Sequence, residues 1–364
     1  MDSEQDWNTL PDEVSGLGPK YIMVFCDGTG KDGEKLPKKA EYYRPGDCIC
    51  LFGYSRGAFA ARKVASLIFH CGLSATREEL LQQWARRDKP VCWHKNSDGF
   101  ELERNGHQSI PIKYLGVWDT VCAVRELPHI TPVKEMLGIR EEELPPNVEH
   151  ALHAVAFHEN RQLFRVTLFE ENTSTRLQEI WFPGCHSDVG GGGEDVTDLP
   201  KISLEWMMKR LDIFNNAPIE AMVQLDYTRP HSFNPHNAGR QGKLSMLIRE
   251  EDRIKGLRLG KRSQIHQSTC FLETVLAKDI DKGLLNLNKL SERTGWDRLG
   301  NINYCPHVER LLKASKPKES ASRGSSLSLL QFTLPVLRSI ESAPSLVRSI
   351  HPQRSHSWTS VLTM

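Results

Sequence analysis

The sequence predicts an α/β fold, a mostly parallel sheet flanked by helices, followed by a largely disordered C-terminal tail. Three observations predict it. Short apolar runs bounded by turn residues alternate with stretches of helical period. Gly-containing turns close several of those runs. Beyond about residue 314 the chain becomes Ser-rich and basic and loses periodicity. With 364 residues, 39% of them apolar, the chain is long enough for one large α/β domain plus a tail.

Taken in order, residues 1–20 are acidic and polar and read as disordered; they lack the basic and apolar regions of a secretory signal. Tyr21 to Cys26 (YIMVFC) reads as a buried strand, ended by the turn Asp27-Gly28-Thr29-Gly30. Lys31 to Pro45 is polar without helical period, and Cys48 to Phe52 is a second buried strand. Ala58 to Phe69 reads as a helix with Ala60, Val64, Leu67, Ile68 and Cys71 on its apolar stripe and Gly72 as its stop. Glu78 to Arg87 looks helical, Val91 to Ser109 reads as loop, and Ile112 to Trp118 is a third strand. Val133 to Glu143 and Val148 to His158 read as helices. Leu177 to Phe182 is a strand closed by Pro183-Gly184, followed by the Gly-rich loop Gly190 to Gly193 and a helix from Ile202 to Ile213. Asn215 to Gly256 reads mostly as loop, and Ser263 to Leu276 as either strand or helix. The expected organisation is a catalytic domain over 21–313 and a disordered tail over 314–364. The first two strands are joined by only about 20 residues, a cramped parallel crossover.

Composition narrows the function classes. Basic and acidic residues number 47 and 46, for a net charge of +1, which excludes the basic footprint of a nucleic-acid binder. No run approaches the roughly 18 apolar residues of a membrane span. Nine scattered cysteines without a C-x-x-C pair read as reduced thiols, so the default compartment is cytoplasmic. Oligomeric state is not readable.

The chemistry concentrates at Gly53-Tyr54-Ser55-Arg56-Gly57, a G-x-S-x-G between a buried strand and an amphipathic helix. That context is what a nucleophile elbow requires: glycines let a sharp turn close, and the serine hydroxyl is thrust above the sheet edge. The Arg56 N–H, at the helix start, would be one oxyanion donor. The competing reading is a Gly-rich turn with Ser55 as a mere helix cap. In such a fold an acid and a histidine follow the serine in chain order. Asp119 ends the third strand and His186 follows the Leu177 to Phe182 strand, so they are the candidate acid and base; a turn cap and a structural loop histidine bonded to Asp188 are the alternatives. Asp27, Gly28 and Thr29 top the first strand, where their amides would supply a second oxyanion donor or simply make a turn. His150, His153 and His158 read as packing or surface residues of a helix, His231 and His236 stay unassigned, and His266 is a reserve base. No metal site and no organic cofactor is expected.

These residues resemble an α/β-hydrolase domain family, uncharacterised as a whole, that includes catalytic domains of type VI secretion phospholipase effectors and many fungal members. The resemblance is carried by Phe25-Cys26-Asp27-Gly28-Thr29, by Tyr43-Arg44-Pro45-Gly46-Asp47 through Arg62, and by Gly116 to Val121. It continues in Ala151-Leu152-His153-Ala154 with Arg161 and Phe164, and in Trp181 to Gly192. It covers about residues 20 to 310. It implies an α/β-hydrolase-like fold, Ser55 as nucleophile, Asp119 as acid, His186 as base, and an ester or phospholipid substrate with peripheral contact to a membrane. The chain departs from the family by lacking the long segment between the first strand and the Arg44-Pro45-Gly46-Asp47 turn, as a deletion or a mis-spliced gene model would leave it. Two rival readings therefore stand: a non-catalytic hydrolase-like scaffold or interaction protein, and an acyltransferase using the same triad.

Overall fold

The structure is a computed structural model. It describes residues 20–26, 43, 46–73, 93–96, 99–102, 110–122, 142–170, 173–192, 197–223, 225, 234–235, 237–240, 249–255, 258–276, 278–306 and 308–309. The expected helix at 78–87, residues 133–141 of the one expected at 133–143, the turn at 27–30, His231 and His236, and residues 1–19 and 310–364 lie outside the described residues; Glu142 and Glu143, at the end of the second expected helix, are not helical.

A seven-stranded parallel sheet forms the centre: β1 (Tyr21–Cys26), β2 (Cys48–Tyr54), β5 (Ile112–Trp118), β6 (Val148–Ala156), β7 (Arg176–Phe182), β8 (Gln264–His266) and β9 (Ile302–Asn303). The strands lie side by side in sequence order, and each neighbouring pair is parallel. β1 lies alongside β2, in register from Tyr21 opposite Cys48 to Cys26 opposite Gly53. Helices cover both faces, as a parallel sheet requires. On one face Ile49, Leu51, Leu115, Val117 and Ala151 pack against Ala58, Ala61, Ala65 and Ile68 of α1 (Arg56–Cys71). On the other, Phe52, Leu152, Ala154 and Phe182 meet Ile202, Trp206 and Met207 of α3 (Leu199–Met208) and Phe271 and Leu272 of α5 (Gln267–Val275). Alternation along β2, Ile49 and Leu51 against Cys50 and Phe52, feeds both cores at once.

Several expectations are corrected. Val148–Ala156 is a central strand, not a helix. Its Ala and His content suits a helix, but a strand buried on both faces shows no alternation, and tertiary context overrides propensity. The buried stripe of α1 is Ala58, Ala61, Arg62, Ala65, Ile68 and Phe69, whereas Ala60 is exposed. A hairpin, β3 (Trp93–Asn96) with β4 (Gly99–Leu102), stands where a loop was expected. The Ile202 to Ile213 helix begins earlier and ends at Met208, followed by a 3₁₀ turn at Asp212–Phe214. The undecided 263–276 segment is both: β8 passes directly into α5, capped by His266. Within 215–256, expected mostly as loop, the described residues hold a short α4 (Ile219–Val223), and α6 (Leu287–Thr294) closes the far end of the α1 face with Leu287 and Leu290. Among the described residues no helix is long and apolar enough to cross a membrane.

Candidate active site

Strand order places the carboxyl ends of β2, β5 and β7 within reach of one another, with β6 between β5 and β7. Ser55 follows β2 in a conformation few L-residues adopt, φ 59° and ψ −122°. A non-glycine residue held there costs on the order of 1–3 kcal/mol, so its surroundings must impose it. They do: Ser55 N–H donates to the Trp118 carbonyl at 3.0 Å, and the Ser55 carbonyl accepts from Val121 N–H at 3.2 Å. Gly53 is obligatory, because a Cβ there would sit 2.4 Å from the Gly57 carbonyl oxygen. Arg56 begins α1, so its N–H has no partner within the helix and lies beside Ser55.

Asp119 leaves β5 with φ 37°, also in the left-handed region, and is fully buried. Its Oδ1 accepts from Ala156 N–H at 3.0 Å. Its Oδ2 lies 2.6 Å from His186 Nδ1. Burial alone would push this carboxyl up; the Arg253 guanidinium and the His186 ring more than reverse that and hold it at about 2. An ionised carboxylate only accepts, so His186 carries its proton on Nδ1 and presents Nε2 as an acceptor. That Nε2 lies 2.8 Å from Ser55 Oγ.

His186 opens α2 (His186–Gly190) rather than entering a loop. Gly184, at φ 108°, turns the chain from β7 into this helix, where a Cβ would meet that of Asp188 at 2.3 Å. Asp188 accepts from Cys185 N–H at 2.8 Å, capping α2, while the two ring nitrogens of His186 face Asp119 and Ser55. Glu159 accepts from His186 N–H at 3.0 Å and is itself gripped by Arg161 at 2.8 Å. Tyr54 packs on the His186 ring at 4.7 Å and Phe164 meets it edge-on at 4.9 Å. Arg161 lies over the Phe164 ring at 3.6 Å. His158 Nδ1 accepts from Gly184 N–H at 2.8 Å, and burial holds that imidazole down at about 4, hence neutral.

The structure thus brings Ser55, Arg56, Asp119 and His186 together. Asp27, Gly28 and Thr29 lie outside the described residues. His266, the reserve base, is buried under Phe182, with its Nδ1 at 2.8 Å from Ser268 Oγ. His153 sits in β6 between Thr120 and Glu179, at 3.2 and 2.9 Å, tying β5, β6 and β7 together. Among the described residues no group of three potential ligands could hold a metal ion. Sequence reasoning did not find Arg253, whose Nη2 reaches both Asp119 oxygens at 3.1 and 2.8 Å. It comes from a stretch without periodicity, and nothing local marks it. Nor did it assign Glu159 to the backbone of His186; its spacing from Arg161 was the only signal.

Residues 38–210 match the family described as T6SS, Phospholipase effector Tle1-like, catalytic domain, a span that contains Ser55, Asp119 and His186. The chain is similar to the uncharacterized protein YEL023C of Saccharomyces cerevisiae, 31% identical over 144 residues, covering 35% of this chain and 20% of that protein. It therefore spans about a fifth of the length of that curated relative. Among solved structures it is similar to the Tle1 effector bound to the VgrG spike from the Type 6 secretion system, at 22% identity and a TM-score of 0.25, covering 42% of this chain and 27% of that one.

Proposed function

We propose, from the family matched over residues 38–210 and the geometry at Ser55, that this chain is a serine hydrolase of carboxylic esters, phospholipids among them. The observation that carries the reading is the relay from Ser55 Oγ through His186 to Asp119, at 2.8 and 2.6 Å, on a serine held at φ 59°. A structural histidine needs no such strained hydroxyl at its second nitrogen. The catalytic unit is residues 21–313.

In this reading His186 Nε2 takes the Ser55 proton as Oγ attacks the ester carbonyl. Asp119 keeps the proton on Nδ1 and stabilises the imidazolium without itself becoming protonated. The tetrahedral oxyanion is held by the Arg56 N–H and by amides of Asp27, Gly28 or Thr29, each donor worth roughly 2.7–4 kcal/mol. Collapse returns the proton from His186 to the leaving alcohol and leaves an acyl-Ser55; water, deprotonated by His186, then releases the acid. Neither a metal nor an organic cofactor enters the cycle. Tyr54 and Phe164 flank the imidazole, and Glu159 holds the His186 backbone N–H, which supports attack from one defined direction.

The test is fatty-acid release from phosphatidylcholine vesicles and from a short neutral ester. Wild type should hydrolyse at least one, and Ser55→Ala neither. Turnover that survives Ser55→Ala, or a folded wild type inert on both, would overturn the reading in favour of a scaffold. Transfer of the acyl group to added alcohol in preference to water would redirect it to an acyltransferase.

A further inference from the structure

Ser55 and Asp119 are the two non-glycine residues of positive φ among the described residues, at 59° and 37°. Both are held through one short turn, residues 118–121 at the carboxyl end of β5. The Trp118 carbonyl accepts from Ser55 N–H at 3.0 Å, and Val121 N–H donates to the Ser55 carbonyl at 3.2 Å. Asp119 N–H donates to the Ala154 carbonyl at 2.8 Å, and the Thr120 carbonyl accepts from Thr167 N–H at 2.8 Å. The turn therefore carries the acid on its second residue and grips the peptide groups of Ser55 with its first and last.

Of the N–H groups of residues 119–121, only that of Thr120 is held by a side chain. It donates to His153 Nε2 at 3.2 Å, with the Thr120 hydroxyl at the same distance. Thr120 and His153 are both fully buried, so this N–H has no route to bulk water. A ring nitrogen that accepts from an N–H carries no proton, so His153 carries its proton on Nδ1 and donates it to Glu179 Oε2 at 2.9 Å. Glu179 Oε2 also accepts from Phe169 N–H at 3.1 Å, which holds the carboxylate in place and with it the tautomer. Without an acceptor at the ε position the Thr120 N–H becomes a buried orphan donor, and the strained Asp119 beside it loses a restraint.

We propose that His153 is a positioning residue of the site: as the acceptor for Thr120 N–H it locks residues 118–121, and with them the strained backbones and mutual placement of Ser55 and Asp119. The lock itself is independent of the chemistry; its service to catalysis rests on the hydrolase reading of Ser55.

Two substitutions separate the two ring nitrogens. His153→Gln sets an amide oxygen near the ε position, which keeps an acceptor for Thr120 N–H and loses the donor to Glu179. His153→Asn sets an amide N–H near the δ position, which keeps the donor to Glu179 and loses the acceptor. Each removes half of the bridge, so a merely structural role predicts equal effects. The experiment measures, on the full chain, the rate of Ser55 labelling by a fluorophosphonate, kcat and KM on the ester that wild type hydrolyses, and native-state hydrogen exchange of the Thr120 and Val121 amides, with circular dichroism for folding. His153→Asn should slow labelling and lower kcat about 100-fold, the loss that a misplacement of about 1 Å brings, with KM within about twofold of wild type. Exchange of the two amides should quicken about tenfold or more in that variant. His153→Gln should recover labelling, kcat and slow exchange to within about fivefold of wild type. Equal losses in the two variants, a larger loss in His153→Gln, a loss confined to KM, or Thr120 exchange no faster in His153→Asn overturns the proposal. Should His153→Asn not fold, a folded His153→Gln slowed about 100-fold overturns it, and one close to the wild-type rate upholds it. The expected exchange pattern in a protein whose wild type neither labels nor hydrolyses either ester upholds the lock and sinks the hydrolase reading instead.

Discussion

Gly190→Ala is the sharpest perturbation of the base. A Cβ at position 190 would lie 2.1 Å from two atoms of the Tyr54 ring, where ordinary contact is 3.4–4 Å. The ring must therefore withdraw by more than an ångström. It is the same ring that packs on His186 at 4.7 Å. Overpacking of this kind costs about 1–3 kcal/mol of stability. The larger effect falls on chemistry: a misplacement of about 1 Å in a reacting group costs on the order of 100-fold. The assay is the second-order rate of Ser55 labelling by a fluorophosphonate, with folding checked by circular dichroism. Gly190→Ala should slow labelling about 100-fold. Tyr54→Ala removes the obstructing ring, so adding Gly190→Ala to it should change the rate by less than about twofold; coupled neighbours show non-additivity of roughly 0.5–3 kcal/mol. If the two effects simply multiply, Tyr54 does not transmit the strain to His186 and the reasoning is wrong.

Other outcomes follow from the same geometry. Arg253→Met removes one partner of a buried ion pair with Asp119 and should destabilise by about 3–5 kcal/mol in urea unfolding; a change below about 1 kcal/mol would show that Arg253 is not paired in solution. Gly116→Ala brings a Cβ to 2.6 Å from the Phe52 ring and 3.1 Å from Met207 Sδ, and should lower stability by about 1–3 kcal/mol without altering the pH dependence of labelling. Burial pushes the Glu273 carboxyl up from 4.5 to about 7, against the Leu287 N–H it accepts from at 2.8 Å. The folded state thus binds a proton that the unfolded chain releases, so stability is highest below pH 4.5 for this group and falls as pH rises to about 7. Glu273→Gln should flatten that slope and raise stability at pH 8 by on the order of 2 kcal/mol; an unchanged slope would remove Glu273 as its source.

Much of the site was legible because its chemistry needs local sequence signals. Gly53 marks a turn that only a missing Cβ permits, and Ser55 sits between an apolar strand and an amphipathic helix. Asp119 and His186 each come directly after a strand end or its Gly turn, where parallel strands gather side chains at one edge. What was not legible depends on contacts distant in sequence. Val148–Ala156 is a strand because its neighbours bury both faces, information its own residues do not hold. Arg253 meets Asp119 across 134 residues, from a segment whose course no periodicity announces. The buried stripe of α1 runs through Arg62, a residue type ordinarily exposed, so apolar periodicity alone does not mark it. In the fold Arg62 donates to the Thr167 and Leu168 carbonyls at 2.5 and 3.1 Å and lies over the Phe169 ring.

The central claim is that Ser55 is a nucleophile activated by His186 and Asp119. Peptide mass spectrometry after fluorophosphonate treatment tests it most directly, on wild type, Ser55→Ala, His186→Gln and Asp119→Asn. The account predicts a single phosphonylated peptide carrying Ser55 in wild type, none in Ser55→Ala, and labelling slowed at least about 1000-fold in His186→Gln and Asp119→Asn, the range seen when a triad member is removed. A folded wild-type chain that stays unlabelled, or labelling of Ser55 that proceeds equally well without His186, would contradict it.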